Sequence, residues 1–90
     1  MRYIPYQKAL EVITKDMDFF GLPYRVGEGD KDTIVEYGPN FEYSIKIFKD
    51  NDAYMSEDNV IPGDGYTHDL PRVKLWIATI ASKIEHEQEK

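Results

Sequence analysis

The chain contains no cysteine, only two histidines and no long apolar run. Without cysteine it can form neither a disulfide framework nor a thiolate metal site. A small domain without disulfides is typical of a reducing compartment, so we expect a cytoplasmic protein. No segment approaches the roughly 20 apolar residues of a membrane span. The first ten residues carry Arg2 and Lys8 and predict no signal peptide.

The length of 90 residues predicts a single domain over residues 1–90. Hydrophobic residues make up 41% of the chain, which is ordinary for a globular protein and argues against wholesale disorder. The chain contains neither an internal repeat nor a low-complexity tract. The polar residues after Ile84 predict a frayed tail over 84–90, because glutamates are unfavourable at the C-terminal end of a helix.

The formal net charge of −6 is spread unevenly. Residues 28–69 contain eleven acidic and three basic residues, whereas residues 1–27 and 70–90 each carry a small positive excess. An acidic surface repels phosphates, so we expect no direct binding to nucleic acid. It suits a basic protein surface or a cation instead.

The stretch from Phe41 to Lys49 predicts the central strand of a sheet. Its odd positions from Phe41 to Ile47 are apolar, and its even positions are polar until Phe48. A period of two is typical of a strand with one face on a core and the other in water. We therefore expect the odd-numbered residues from Phe41 to Ile47 to lie in the core. The turn residues at 38–40 and 49–52 predict antiparallel neighbours.

Two amphipathic helices are predicted on either side of the strands, over residues 5–20 and 70–86. Pro5 and Pro71 suit the first helical turn, and Gly21 is placed to end the first helix. The first apolar stripe consists of Tyr6, Leu10, Ile13, Met17 and Phe20. The second consists of Leu70, Val73, Ile77, Ile80 and Ile84, and its spacing resembles a heptad. Val12, Phe19, Leu75 and Trp76 flank these stripes, and either widen a buried face or form an exposed contact site.

The strands are predicted over 23–28, 33–37 and 41–49, with a further strand that begins at Ala53 and whose end the pattern does not fix. Residues 56–69 predict a long connection, which in a compact domain is either functional or mobile. The fold class is therefore α+β, in the order α-β-β-β(-β)-α. We expect an antiparallel meander sheet with both helices packed on one face, because that arrangement buries both stripes.

Three segments invite a chemical interpretation. Asp50-Asn51-Asp52 resembles the start of a calcium loop, but the required glycine and the final glutamate are missing, so a hairpin turn is favoured. The sequence at 27–30 lacks the third glycine of a phosphate loop. Asp64, His68 and Asp69 lie close together in the sequence and could bind a metal or act as acid and base. We favour a helix cap at Asp69, and predict no metal, no cofactor and no enzymatic activity.

Seven tyrosines point instead to protein contacts. Tyr24, Tyr37 and Tyr43 are expected to line the core, whereas Tyr3, Tyr54 and Tyr66 lie at element ends, where we expect exposure. Tyrosine is enriched at interfaces because it offers a large area and a hydrogen bond. The predicted contact surface combines acidic and tyrosine residues: Glu42, Asp50, Asp52, Tyr54, Glu57, Asp58, Asp64 and Tyr66.

The order of a helix, three strands and a helix is similar to that of the double-stranded RNA-binding domain. The pair Pro23-Tyr24 at the first strand and Gly63-Asp64-Gly65 before the last helix are also similar. In that family a lysine-rich start to the last helix grips the phosphates. Here the position has only Arg72 and Lys74 as cations, so the resemblance implies a shared architecture without RNA binding.

Three functions remain open. The favoured one is a small, acidic, non-enzymatic protein that covers a basic surface of a partner, such as an inhibitor or regulator of a nucleic-acid-handling enzyme. The alternative is a structural subunit that forms a homodimer through the C-terminal helix. The third is a small metal-dependent enzyme that uses the 64–69 loop.

Overall fold

The computed structural model describes residues 5–49, 53–56 and 65–88. Along the chain, one helix precedes five strands and a second helix follows them. The elements are α1 (Tyr6–Phe19), β1 (Tyr24–Glu28), β2 (Asp32–Tyr37), β3 (Tyr43–Phe48), β4 (Ala53–Ser56), β5 (Tyr66–Thr67) and α2 (Leu70–Gln88). The sheet order is β1-β2-β3-β4-β5, and every neighbouring pair is antiparallel. This arrangement confirms the predicted α+β meander.

Local residues determine where α1 begins and ends. Pro5 lies just before the helix, at the N-cap, and its carbonyl accepts hydrogen bonds from the N–H groups of Lys8 and Ala9. At the other end Gly21 has a φ of 70°, and the N–H groups of Gly21 and Leu22 donate to the carbonyls of Asp18 and Met17. These two bonds form a Schellman motif, in which glycine adopts the left-handed conformation without a Cβ penalty. The predicted glycine stop is therefore confirmed.

One face of the sheet forms the core with both helices. Burial alternates along β2 and β3, and the odd-numbered residues Val35, Tyr37, Tyr43, Ile45 and Ile47 are all buried. The register sets Val35 opposite Ile45 and Tyr37 opposite Tyr43, so these side chains share one side of the sheet. The helices add their own buried residues to the same cluster: Ala9, Ile13, Met17, Leu70, Val73, Trp76, Ile77, Ile80 and Ile84.

The helix α2 lies with its whole apolar stripe in this core. Trp76 is buried as well and widens the stripe, whereas Leu75 faces away from it and is exposed. The ammonium group of Lys83 donates to the hydroxyl of Tyr43 on β3 (3.2 Å) and to the carboxylate of Glu87 (2.9 Å). Glu87 first, and then Tyr43, raise the pKa of Lys83. The helix continues to Gln88, and fraying of the tail stays a prediction.

Phe41 corrects the expectation that the central strand begins at residue 41. Its φ is 53°, a left-handed conformation that no strand residue adopts, and β3 begins only at Tyr43. The N–H of Phe41 donates to the carbonyl of Gly38 and closes the turn that was predicted for 38–40. The Phe41 ring is half-buried and lies 4.6 Å from the Arg25 guanidinium, so it is not part of the core cluster.

The fifth strand was not predicted. Tyr66 and Thr67 were assigned to the long connection over 56–69, yet they pair with Met55 and Tyr54 of β4. A strand of two residues has no alternation from which to be recognised. The resemblance to the double-stranded RNA-binding domain therefore holds for the order of helix, sheet and helix, but the sheet here has five strands in place of three.

Candidate functional site

The side of the sheet that faces away from the helices carries a mixed row of apolar and charged residues. The register aligns Ile34, Lys46, Met55 and Tyr66 across four successive strands. Ile34 is 36% exposed and Tyr66 is 45% exposed, while Lys46 and Met55 are half-buried. We call this side, with Arg25, Ile34, Glu36, Lys46, Phe48, Met55 and Tyr66, the open face. In the part of the chain that the structure describes, neither helix covers it.

Three aromatic rings pack together near the β5 end of the open face. The rings of Phe48 and Tyr66 lie 6.5 Å apart, and the ring of His68 meets Tyr66 edge-on at 5.5 Å. The Lys46 ammonium lies 6.0 Å from the Phe48 ring. Rings that pack on one another lose little freedom when a partner covers them, which favours a contact site. The prediction that Tyr66 is exposed is confirmed.

Arg25 on the open face and Lys49 on the helix side of the sheet both have partners within the chain. Arg25 donates through Nε to the Glu36 carboxylate at 2.8 Å and lies over the Phe41 ring. Lys49 donates to the carbonyl of Gly29 at 3.0 Å and lies 4.9 Å from the Tyr6 ring. The candidate residue Glu42 is exposed at the entry to β3. The Arg25–Glu36 pair is thus electrically neutral, and Glu42 adds an exposed negative charge.

Tyr54 corrects the predicted contact surface. It was expected to be exposed near the start of a strand, but only 1% of its surface is accessible. Tyr54 lies opposite Ile47 in the register, which directs it to the side of the sheet that the helices cover. Its ring is therefore part of the core. The sequence prediction failed because the start of β4 leaves too few residues to show which face is which.

Five predicted contact residues lie outside the described residues: Asp50, Asp52, Glu57, Asp58 and Asp64. By sequence they belong to the connections on either side of β4, the strand that contributes Met55 to the open face. Conversely, sequence reasoning missed Ile34, Phe48 and Met55 as contact candidates. The signal for Phe48 was present, since it is the one apolar residue that breaks the polar alternation of the central strand.

The proposed acid–base or metal group is only partly described. His68 and Asp69 are both exposed, and the N–H of Asp69 donates to the hydroxyl of Thr67 at 3.0 Å. Asp69 directly precedes α2, and its carbonyl accepts a hydrogen bond from the N–H of Arg72. Asp64 lies outside the described residues. Over residues 5–49, 53–56 and 65–88, no three His, Asp or Glu side chains cluster closely enough to hold a metal ion.

Comparisons with protein-family models, curated proteins and solved structures gave no match for this chain. The similarity in element order to the double-stranded RNA-binding domain therefore carries no functional argument. In the described ranges, neither helix combines the length and apolar character that crossing a membrane requires.

Proposed function

We propose that this chain is a non-enzymatic binding module that covers a basic surface of a partner protein with the open face of its sheet. The observation that supports it best is the row of Ile34, Met55 and Tyr66 on the side of the sheet opposite the helices. An apolar centre with a polar rim is the usual anatomy of a protein interface. The partner class follows from charge, because the acidic excess of residues 28–69 favours a basic surface.

The exposed aromatic rings also resemble the stacking platforms of proteins that bind single-stranded nucleic acid. Charge argues against that role here. Such platforms need several cations along the backbone of the nucleic acid, whereas Glu36 already neutralises Arg25 and residues 28–69 carry eleven acidic residues against three basic ones. A basic enzyme that handles nucleic acid fits better, since carboxylates can occupy the positions where phosphates bind. In that case the module acts as an inhibitor or regulator.

A structural subunit is the alternative function, but the surface first expected to carry it is not free. The heptad-like stripe of α2 lies in the core of the same chain, so it cannot also form a coiled-coil seam. Leu75 is the exposed apolar side chain of α2. A homodimer needs a different surface.

The test uses three baits in a quantitative pull-down from the native host. We expect the wild type and Leu75→Ser to retain a basic partner and Tyr66→Ser to lose most of it, because the Tyr66 ring is exposed and packs with Phe48 on the open face. Loss of an interface tyrosine typically weakens binding about tenfold, or roughly 1.4 kcal/mol. Leu75→Ser is the matched control, since it removes a comparable exposed apolar side chain from the opposite side of the molecule.

Salt gives the second readout of the same experiment. Binding through carboxylates weakens as ionic strength rises, because mobile ions screen exposed charges. We expect Glu42→Gln to reduce the salt dependence of the affinity of the captured partner. Retention of that partner by Tyr66→Ser, or an affinity that does not change with salt, contradicts the proposal.

A further inference from the structure

The strand β1 forms one edge of the sheet and pairs only with β2 among the described residues. Two hydrogen bonds show which of its backbone groups face β2. The N–H of Gly29 donates to the carbonyl of Asp32, and the N–H of Gly38 donates to the carbonyl of Pro23. In an antiparallel pair, bonded and non-bonded residues alternate. The odd-numbered residues of β1 therefore bond to β2, and Tyr24, Val26 and Glu28 direct their N–H and C=O groups outward.

Natural proteins usually blunt such an edge with proline, lysine, a bulge or a very short strand. Within β1 there is no proline, lysine or bulge: the strand has five residues, reads Tyr-Arg-Val-Gly-Glu and keeps a regular register. Of its two charged residues, Arg25 is already paired with Glu36 of the same chain. The opposite edge, β5, has only two residues. Thus β1 is the edge of the described sheet that offers a full ladder of backbone groups.

Val26 adds an apolar surface to this edge. It lies opposite Val35 on the side of the sheet that carries the helices, yet 42% of its surface is exposed, whereas Val35 is fully buried. The helices therefore cover β2 but leave the outer part of β1 uncovered. A further strand beside β1 extends the sheet and covers Val26.

We propose that β1 pairs antiparallel with β1 of a second copy of this chain, with Val26 facing Val26, to form a continuous ten-stranded sheet. A two-fold axis that relates antiparallel neighbouring strands is perpendicular to the sheet, so both copies keep their helices on the same side. The open faces of the two copies then lie on the other side as one surface. The proposal is independent of the proposed function.

The sequence of β1 selects this register among the symmetric ones. A pairing centred on Arg25 sets two arginines directly opposite each other, which is destabilising. A pairing centred on Gly27 sets Val26 against a glutamate and loses the contact between valines. With Val26 at the centre, Val26 bonds to Val26 and Tyr24 bonds to Glu28 in both directions, so all outward groups of β1 are used. This register forms six hydrogen bonds between the copies, against four in each alternative.

Side chains on the open face fit the same register. Arg25 lies opposite Gly27 of the second copy, where the missing side chain leaves room for the guanidinium; a Cβ on Gly27 meets no atom within 4 Å. The ion pair with Glu36 already neutralises Arg25. Each copy carries a formal net charge of −6, so the copies repel each other at a distance and salt should strengthen the dimer. Binding to a basic partner changes with salt in the opposite direction.

The decisive experiment is sedimentation equilibrium of Val26→Lys and Val26→Thr beside the wild type, at low and high salt. We expect a wild-type dimer that tightens with salt. Val26→Lys sets two like charges opposite each other and should raise the dissociation constant at least about tenfold. Val26→Thr keeps a β-branched side chain and the ladder, and should stay within about threefold. Circular dichroism checks that each variant is folded.

Hydrogen exchange provides a readout at the level of single amides. With rising protein concentration, exchange should slow for the amides of Tyr24, Val26 and Glu28, while those of Arg25 and Gly27 are already protected by β2. A wild type that stays monomeric at millimolar concentration in high salt overturns the proposal. So does a dimer that Val26→Lys leaves intact, or a dimer in which the three outward amides remain unprotected.

Discussion

The side chain of Asp16 on α1 is partly buried, and its negative charge destabilises the folded protein. One of its carboxylate oxygens is buried and accepts no hydrogen bond from the described part of the chain. Burial raises the pKa of Asp16, and the positive charge of Lys74 lowers it by a smaller amount. Removal of water from the charged form is thus the larger effect. The negative charge also lies near the C-terminal end of α1, where the helix dipole disfavours it.

Asp16→Asn is expected to stabilise the protein at neutral pH. Because the pKa is raised in the folded state, the charge on Asp16 costs stability above that pKa and costs nothing once both states are protonated. The gain should be a fraction of about 1 kcal/mol, since Asp16 is partly open to solvent. It should shrink as the pH falls toward about 3.9, the ordinary value for aspartate.

Urea unfolding at several pH values measures the effect of Asp16→Asn. The matched control is Asp18→Asn, which removes the same charge from an exposed position two residues away on the same helix. An equal gain from both variants attributes the effect to net charge or to the helix dipole. A loss of stability in Asp16→Asn at neutral pH contradicts the role given to burial.

At the scale of one element, the end of α1 depends on backbone conformation alone. Gly21 has a positive φ, and a Cβ built on it meets no atom within 4 Å. Gly27 has equally open surroundings but lies in β1 without a positive φ. The two glycines therefore differ in φ: Gly21 adopts the left-handed conformation, which glycine tolerates far better than alanine, and Gly27 does not.

Gly21→Ala is expected to lower the free energy of unfolding by about 1–2 kcal/mol, the usual cost of a left-handed alanine. Gly27→Ala is the matched control, and should change stability by less than about 0.5 kcal/mol. Denaturant unfolding at low protein concentration compares the two, so that pairing between copies does not contribute. Similar losses in both variants show that the Schellman motif does not depend on the conformation of Gly21.

At the scale of the whole molecule, two electrostatic effects oppose each other. The described surface ion pairs, such as Arg25 with Glu36 and Lys15 with Glu11, weaken as salt rises, but exposed pairs contribute little. The mutual repulsion of the acidic residues over 28–69 also weakens with salt. Since that excess is large for so short a segment, relief of repulsion should be the larger effect.

Moderate sodium chloride should therefore raise the melting temperature, by roughly 2 °C for a few tenths of a kcal/mol in a domain of this size. The double variant Asp50→Asn with Asp52→Asn serves as the control, because it removes two charges from the acidic segment and should reduce the salt effect. Differential scanning calorimetry at low protein concentration measures both proteins. A melting temperature that falls with salt shows that ion pairs outweigh the repulsion.

The helices, the core face of the central strand and the meander order can all be predicted from the amino-acid sequence. Each of these follows from the local spacing of apolar residues or from a local stop signal such as Gly21, and none of them requires knowledge of distant residues. Three other features depend on how the elements pack and pair. Tyr54 is buried because the strand register places it on the side of the sheet that the helices cover. Phe41 lies outside the core cluster, in a left-handed conformation in the turn before β3. The fifth strand exists because β4 offers it an edge. The open face and the exposed edge at Val26 are likewise visible only once the helices are placed, since a sequence shows which residues are apolar but not which of them stay uncovered.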